Sequence, residues 1–188
     1  MDTLTNILGI IWLVFVLYWL VSAVKSKKNI RNRAWSRNIG FRLLFVVVFI
    51  LALKIPAFDN FFSNPTSPFS GIVRIFGVLL AGFGIALAIW ARRHLGRNWG
   101  MPMSLKENPE LVTSGPYTYV RNPIYTGVLL AMLGSVFVDG VFWLIPLVCA
   151  GVYFIYSSKI EEKIMLKEFP NTYPEYKNRT KMLVPFVF

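Results

Sequence analysis

The residues able to do chemistry in this chain of 188 are few and bunched. One histidine (His94) and one cysteine (Cys149) can build neither a disulfide framework nor a multi-ligand Cys/His zinc site, so no metal centre is expected. The polar groups with suggestive spacing fall in two stretches. The first runs from His94 to Asn122, is rich in Gly, Pro and aromatics, and leads into Arg121-Asn122-Pro123-Ile124-Tyr125. Proline is tolerated in the first turn of a helix because its missing amide has no partner to lose there. The amides after Pro123, with Arg121 beside them, could receive a carboxylate. The same residues also read as an ordinary helix start with an interfacial arginine and belt aromatics. The second stretch holds Glu161-Glu162. Glu162 has Lys159 three residues earlier, a helical ion-pair spacing. Glu161 has Ser157, Ser158, Ile164 and Met165 at the corresponding positions, so its carboxylate either points to water or is reserved for a ligand. His94 follows Arg92 and Arg93 and reads as an interfacial residue rather than a general base. There is no glycine-rich dinucleotide motif, phosphate loop or Ser/His/Asp set.

The elements that must position these groups are apolar. The chain is 55% hydrophobic and 16% aromatic, but only 15% charged, against ~25% in soluble domains. That excludes a soluble globular domain, a disordered chain and a disulfide-stapled module. Five stretches approach the ~20 residues needed to cross a hydrocarbon core. They are 3–24, 39–58, 72–91, 124–138 and 141–156, the last two separated only by Asp139-Gly140 and so a tight helical hairpin. The expected fold is an all-α integral membrane domain over 1–188. Its polar cap comprises 92–123 and a C-terminal helical tail within 157–188. Small residues recur on the third span at Gly77, Ala81, Gly84 and Ala88, which permits close helix approach. Pro146 is expected to kink the fifth span.

Of the 20 basic residues, 17 fall on one side of a five-span arrangement. The positive-inside rule then puts the N-terminus outside and the C-terminus, with the cap, in the cytoplasm. The net charge of +11 is thereby explained by topology and by attraction to anionic lipid, without a nucleic-acid partner. Ionisable groups inside the spans are too sparse for a transporter relay.

The succession His94, Leu95-Gly96-Arg97-Asn98-Trp99, Leu111-Val112-Thr113-Ser114-Gly115-Pro116-Tyr117, Arg121-Asn122-Pro123-Ile124-Tyr125-Thr126-Gly127, Glu161-Glu162 and Tyr173-x-x-Tyr176 resembles the isoprenylcysteine carboxyl methyltransferase family. The likeness covers about half the chain, from His94 to Pro185. It implies S-adenosylmethionine as methyl donor, held at the cytosolic end of the last spans. The implied donor contacts are Leu111, Val112, Tyr117, Asn122, Pro123, Ile124, Tyr125 and Glu161. Arg121 would orient the carboxylate of the substrate. The family usually carries His where Asn122 stands, so titration is absent from that position here, and its eukaryotic members carry an Arg that meets the substrate carboxylate where Ser157 stands, four residues before Glu161.

The implied reaction is carboxyl O-methylation of an amphiphile such as an isoprenylated cysteine, entering sideways from the bilayer among membrane lipids. A carboxylate with a pKa near ~4 is already ionised at neutral pH, so no general base is needed. The protein has only to strip water from the partners and align them. Three alternatives remain at this level: methylation of a phospholipid amine, an NADPH-dependent sterol-type reductase, and a non-enzymatic membrane scaffold. The sequence leaves the oligomeric state open.

Overall fold

The computed structural model describes residues 2–23, 29–31, 68–96, 105–106 and 109–185. Helix α1 spans Thr3–Ala23 and α2 spans Gly71–Leu95. Helix α3 spans Pro123–Asp139, α4 spans Leu144–Glu168, and the short α5 spans Tyr173–Arg179. A 3-10 turn over Gly115–Thr118 precedes α3, and another over Val141–Trp143 precedes α4. The regular elements among the described residues are thus helical, except for a small antiparallel ribbon that an all-α reading did not foresee. It pairs β1 (Asn29–Arg31) with β2 (Leu105–Lys106).

Three helical stretches, Thr3–Ser22, Gly71–Leu95 and Val141–Glu168, are long and apolar enough to cross a membrane, and α3 is a shorter apolar helix. Their outward surfaces remain apolar: Leu13, Leu17 and Leu20 on α1, Ile72 and Phe83 on α2, and Val148 on α4 are all exposed. The expected second span, 39–58, lies outside the described residues, as do the loop residues Arg97, Asn98 and Trp99.

Helices α1 and α2 run parallel. At one end Arg74 pairs with Asp2 at 2.5 Å, while the Asp2 carboxylate accepts the Thr5 amide at 3.0 Å and opens α1. At the other end the buried Arg92 donates to the Ser22 carbonyl at 2.7 Å and to the Gly96 carbonyl at 2.7 Å. That arginine ties the end of α1 to the end of α2.

Helix α3 packs antiparallel on α2 through glycines on both surfaces. A Cβ placed on Gly84 would collide with the Gly127 carbonyl and lie 2.6 Å from the Ala131 nitrogen. One on Gly77 would lie 2.7 Å from the Gly134 carbonyl. The stripe of small residues expected on α2 therefore meets a second stripe on α3, Gly127, Ala131 and Gly134. Small faces let backbones approach until dispersion contacts are continuous, which is how helices associate without a hydrophobic driving force. Helix α1 seals the pair from one side, where Trp12 Nε1 donates to Ser135 Oγ at 3.1 Å and Thr5 Oγ1 donates to Asp139 at 2.8 Å.

The hairpin between α3 and α4 is as tight as expected. Gly140, at φ 113°, turns the chain, and its amide returns to the Val136 carbonyl at 3.0 Å. The kink expected at Pro146 has no basis. Because α4 begins at Leu144, Pro146 falls in its first turn, where the missing amide breaks no ladder. From there α4 runs unbroken past the expected span end at 156 to Glu168, carrying the acidic pair beyond the apolar stretch.

Candidate functional site

The polar end of the molecule is assembled from the end of α2, the 3-10 turn, the start of α3, the second half of α4, and the tail. Pro123 occupies the first position of α3, buried, as the sequence anticipates. The start of this helix is covered by the tail. Residues 120 and 181 form a parallel bridge, the Arg121 amide donates to the Lys181 carbonyl at 2.8 Å, and the Asn122 amide donates to the Met182 carbonyl at 3.2 Å. The Asn122 side-chain amide reaches the same Met182 carbonyl at 3.2 Å, and Thr126 Oγ1 donates to the Leu183 carbonyl at 2.6 Å. Ile124 and Tyr125 supply the next amides of the first turn, which a helix leaves without an intrahelical acceptor.

Tyr125 joins α3 to α4 at two points. Its ring stacks on Phe154 with centroids 4.4 Å apart and planes 7° from parallel. Its hydroxyl donates to Glu161 Oε1 at 2.7 Å. The carboxylate that lacked a partner on its own helix thus has one across the hairpin.

Glu162, one residue on, points into the tail. It accepts from Arg121 Nη2 at 2.7 Å and Nε at 3.0 Å, and from Lys177 Nζ at 2.7 Å. The expected pairing with Lys159 is replaced by this longer-range one, because Arg121 and Lys177 bring charges that are already partly desolvated. Arg121 was also expected to orient a substrate carboxylate. Its Nη1 instead donates to the carbonyls of Lys177 (3.1 Å) and Thr180, so the guanidinium is consumed in closing the cap. The side chains of Arg121 and Glu162 are each only 9% exposed, so this is an internal ion pair.

Tyr117 is buried under the tail. Its hydroxyl donates to the Ala91 carbonyl at 3.4 Å, while its own carbonyl accepts the Tyr176 hydroxyl at 2.8 Å. Burial pushes the Tyr117 phenol far above its ordinary range, with Tyr176 and then the Glu161 carboxylate adding to the shift. Glu161 therefore acts on Tyr117 and Tyr125 together. Leu111 and Val112 are half-buried on the stretch that leads into the 3-10 turn. Of the expected donor residues, the structure brings Tyr117, Tyr125 and Glu161 together and fixes Asn122 and Pro123 at the helix start beside them, while Leu111 and Val112 precede the 3-10 turn that carries Tyr117.

Sequence reasoning missed three supports. Lys177 and the Thr180–Leu183 carbonyls close the tail, and nothing in their spacing announced it. The Tyr173-x-x-Tyr176 spacing was noticed but given no role, yet both rings are buried, 5.9 Å apart. His94 shares a 2.8 Å hydrogen bond with Ser114 and stacks near Tyr117, while Gly115, at φ +61°, leaves room for its ring.

The buried tyrosines give the cap a pH signature. Burial pushes the Tyr176 phenol up to about 12 and Tyr173 higher still. An unfolded tyrosine ionises near 10.0, so their contribution to stability is complete below that pH and declines as pH rises through about 12. Tail protection, followed by limited proteolysis, is expected to hold at neutral pH and to fail only above pH ~10. Exposure of the tail near pH 8 would contradict it.

The fold and this end define a helical membrane protein whose polar chemistry is gathered at one mouth of an α3–α4 hairpin. A profile of the phospholipid methyltransferase family matches residues 72–172, more than half of the chain, and the chain belongs to that family. With its apolar helices, this makes it an integral membrane protein of a methyltransferase family, in agreement with the family resemblance carried by the motifs. The chain is similar to methanethiol S-methyltransferase 1 of Bradyrhizobium diazoefficiens, 30% identical over 87 residues, covering 42% of this chain and 27% of that protein. Methanethiol S-methyltransferase 2 of the same organism is 33% identical over 81 residues, covering 38% and 27%. Cobalt-zinc-cadmium resistance protein CzcN of Cupriavidus metallidurans is 28% identical over 142 residues, covering 74% and 60%. The chain thus spans about a quarter of the length of the two S-methyltransferases it matches.

Proposed function

We propose that this chain transfers a methyl group from S-adenosylmethionine to an amphiphilic acceptor that reaches the site from the bilayer. The observation that carries the reading is the Tyr125–Glu161 hydrogen bond. It unites the start of α3 with the acidic pair of α4, the two places where the family resemblance puts the donor. The residues fit that donor. A carboxylate among the Tyr125, Tyr117 and Phe154 rings suits a ligand with a positive centre and an aromatic base. When bound, S-adenosylmethionine supplies an electrophilic methyl on a sulfonium. Glu161 and Tyr125 would hold it, with Tyr117, Asn122, Pro123 and Ile124 shaping the site and Leu111 and Val112 lining the approach. The tail excludes water by covering Tyr117, and it fixes the start of α3 through the Lys181 and Met182 carbonyls. The polar end would face the cytoplasm, where the basic loops belong by the positive-inside rule.

For the acceptor, the family resemblance points to the carboxylate of an isoprenylated cysteine. The engagement of Arg121 with Glu162 favours a second reading, an acceptor that needs no arginine. A phospholipid amine meets that requirement, as does a thiol, the group named in two of the relatives.

The test is binding of S-adenosylmethionine and of NADPH to detergent-purified protein, with Glu161→Ala and Tyr125→Phe alongside. Wild type is expected to bind S-adenosylmethionine. Each variant should bind about tenfold or more weakly, the cost of a hydrogen bond to a charged group. NADPH binding alone would turn the reading toward a reductase, and binding of neither toward a scaffold.

A further inference from the structure

Helix α4 presents two opposite faces. At about 100° per residue, Phe154, Ser157, Ser158 and Glu161 share one arc, and the contacts of Phe154 and Glu161 with Tyr125 turn that arc toward α3. On the opposite arc lie Ile145, Val148, Val152 and Tyr156, each more than half exposed, and then Lys159, Lys163 and Lys167, all exposed. Every step along this stripe is three or four residues, so it is continuous on the surface. It changes from apolar to basic between Tyr156 and Lys159. The apolar half faces outward on a helix long enough to cross a membrane, and Tyr156 stands where an aromatic residue marks the membrane surface.

The basic half has no counter-charge within the fold. Glu162, three residues after Lys159, is turned into the cap, where Arg121 and Lys177 take its two oxygens. Among the described residues, Lys159, Lys163 and Lys167 form no ion pair. Lys159 stands about 4 Å and Lys163 about 10 Å beyond Tyr156 along the axis. The headgroup layer is about 5–7 Å deep on each side of the hydrocarbon core, and flexible lysine stems reach back into it. Lys167, one turn further out, adds its charge to the same field. A second copy of the chain is a poor occupant, because 20 basic residues against 9 acidic bring more positive charge to the stripe.

We propose that this outward stripe of α4 binds an acidic phospholipid of the surrounding bilayer, with an acyl chain along Ile145, Val148, Val152 and Tyr156 and the phosphate between Lys159 and Lys163. Net charge alone draws the chain to any anionic surface. The stripe adds a fixed place, because the tail and the phosphate of one molecule meet matching residues on one line. A zwitterionic lipid carries its own cation beside the phosphate and gains less from the lysines. The site lies on the face of α4 away from Tyr125 and Glu161, so it is separate from the residues assigned to the methyl donor and does not depend on that reading.

The experiment uses the full chain in detergent. Dioctanoyl phosphatidylglycerol, dioctanoyl phosphatidylcholine and inorganic phosphate are titrated separately, and binding is read by native mass spectrometry and by the unfolding temperature. The variants are Lys159→Gln/Lys163→Gln/Lys167→Gln and the same three positions changed to Arg. Wild type is expected to bind the phosphatidylglycerol about tenfold or more tightly than the phosphatidylcholine, as for two lysines at an anionic headgroup. Raised salt should narrow that difference. In the glutamine variant the two lipids should bind within about twofold of each other, whereas the arginine variant keeps the preference because the charge is kept. Equal affinities in wild type, a preference that survives in the glutamine variant or is lost in the arginine variant, or inorganic phosphate binding as tightly as the lipid would each overturn the assignment. A wild-type dimer that the glutamine variant breaks would give the stripe to a second copy and overturn it as well.

Discussion

Glu162→Ala is expected to release the tail and to lower stability by about 3–5 kcal/mol, the cost of leaving a buried charge without its partner. The carboxylate receives Arg121 through two nitrogens and Lys177 through a third. Without it, the guanidinium stays 9% exposed with only backbone carbonyls around it. Lys177→Ala should cost far less, ~1 kcal/mol or below, because its side chain is 39% exposed and water replaces the pair. Glu162→Gln keeps an acceptor and should fall between the two. Replacing both Arg121 and Glu162 with methionine is expected to be milder than either single truncation, since no orphaned charge remains. Thermal unfolding in detergent and trypsin cleavage within 173–185 would read these effects. Stability and cleavage unchanged in Glu162→Ala would mean that the ion pair does not hold the cap.

The second large effect concerns the contact of α2 with α3. Gly127→Ala places a methyl against the Gly84 carbonyl and within 2.8 Å of the Ala88 nitrogen. Both obstacles are backbone, so no side-chain rotation relieves them and the helices must separate. A loss of ~1–3 kcal/mol or more is expected, as for overpacking in a dense core. Gly84→Ala should behave alike, through the same contact seen from the other helix. Gly82→Ala is the control, because its Cβ would meet only Ile11 Cδ1 at 3.9 Å. That substitution should be neutral or stabilise by about 0.5–1 kcal/mol through helix propensity. Equal unfolding temperatures for Gly127→Ala and Gly82→Ala would show that the glycine contact does not govern the packing.

Much of this arrangement was legible in the sequence where a single helix carries its own signal. The apolar runs located α1, α2, α3 and α4 to within a few residues, except that α4 continued well beyond its apolar part. Asp139-Gly140 announced the hairpin because two residues leave no other geometry. Pro123 marked the start of α3 because its ring fits only a first turn. What could not be read was pairing across long separations. Glu162 was matched to Lys159 because helical spacing is local, whereas Arg121 lies 41 residues away and becomes a neighbour only after the hairpin closes. For the same reason Arg121 looked available to a substrate, and Glu161 looked unpartnered until Tyr125 came across from α3. The ribbon of β1 and β2 is too short to leave an alternating pattern. The opposing stripe on α3 went unrecognised because one row of small residues does not reveal its complement.

The parallel bridge between residues 120 and 181 sets an order of events in the life of the molecule. The first turn of α3 is closed by carbonyls of Lys181, Met182 and Leu183, which are synthesised after all five helices described above. Until residues 181–183 have left the ribosome, the hairpin can insert and pack, but its mouth stays unfinished. Residues 181–183 must emerge before the cap can close, so a nascent chain that has placed only its earlier helices in the bilayer carries them without its assembled centre.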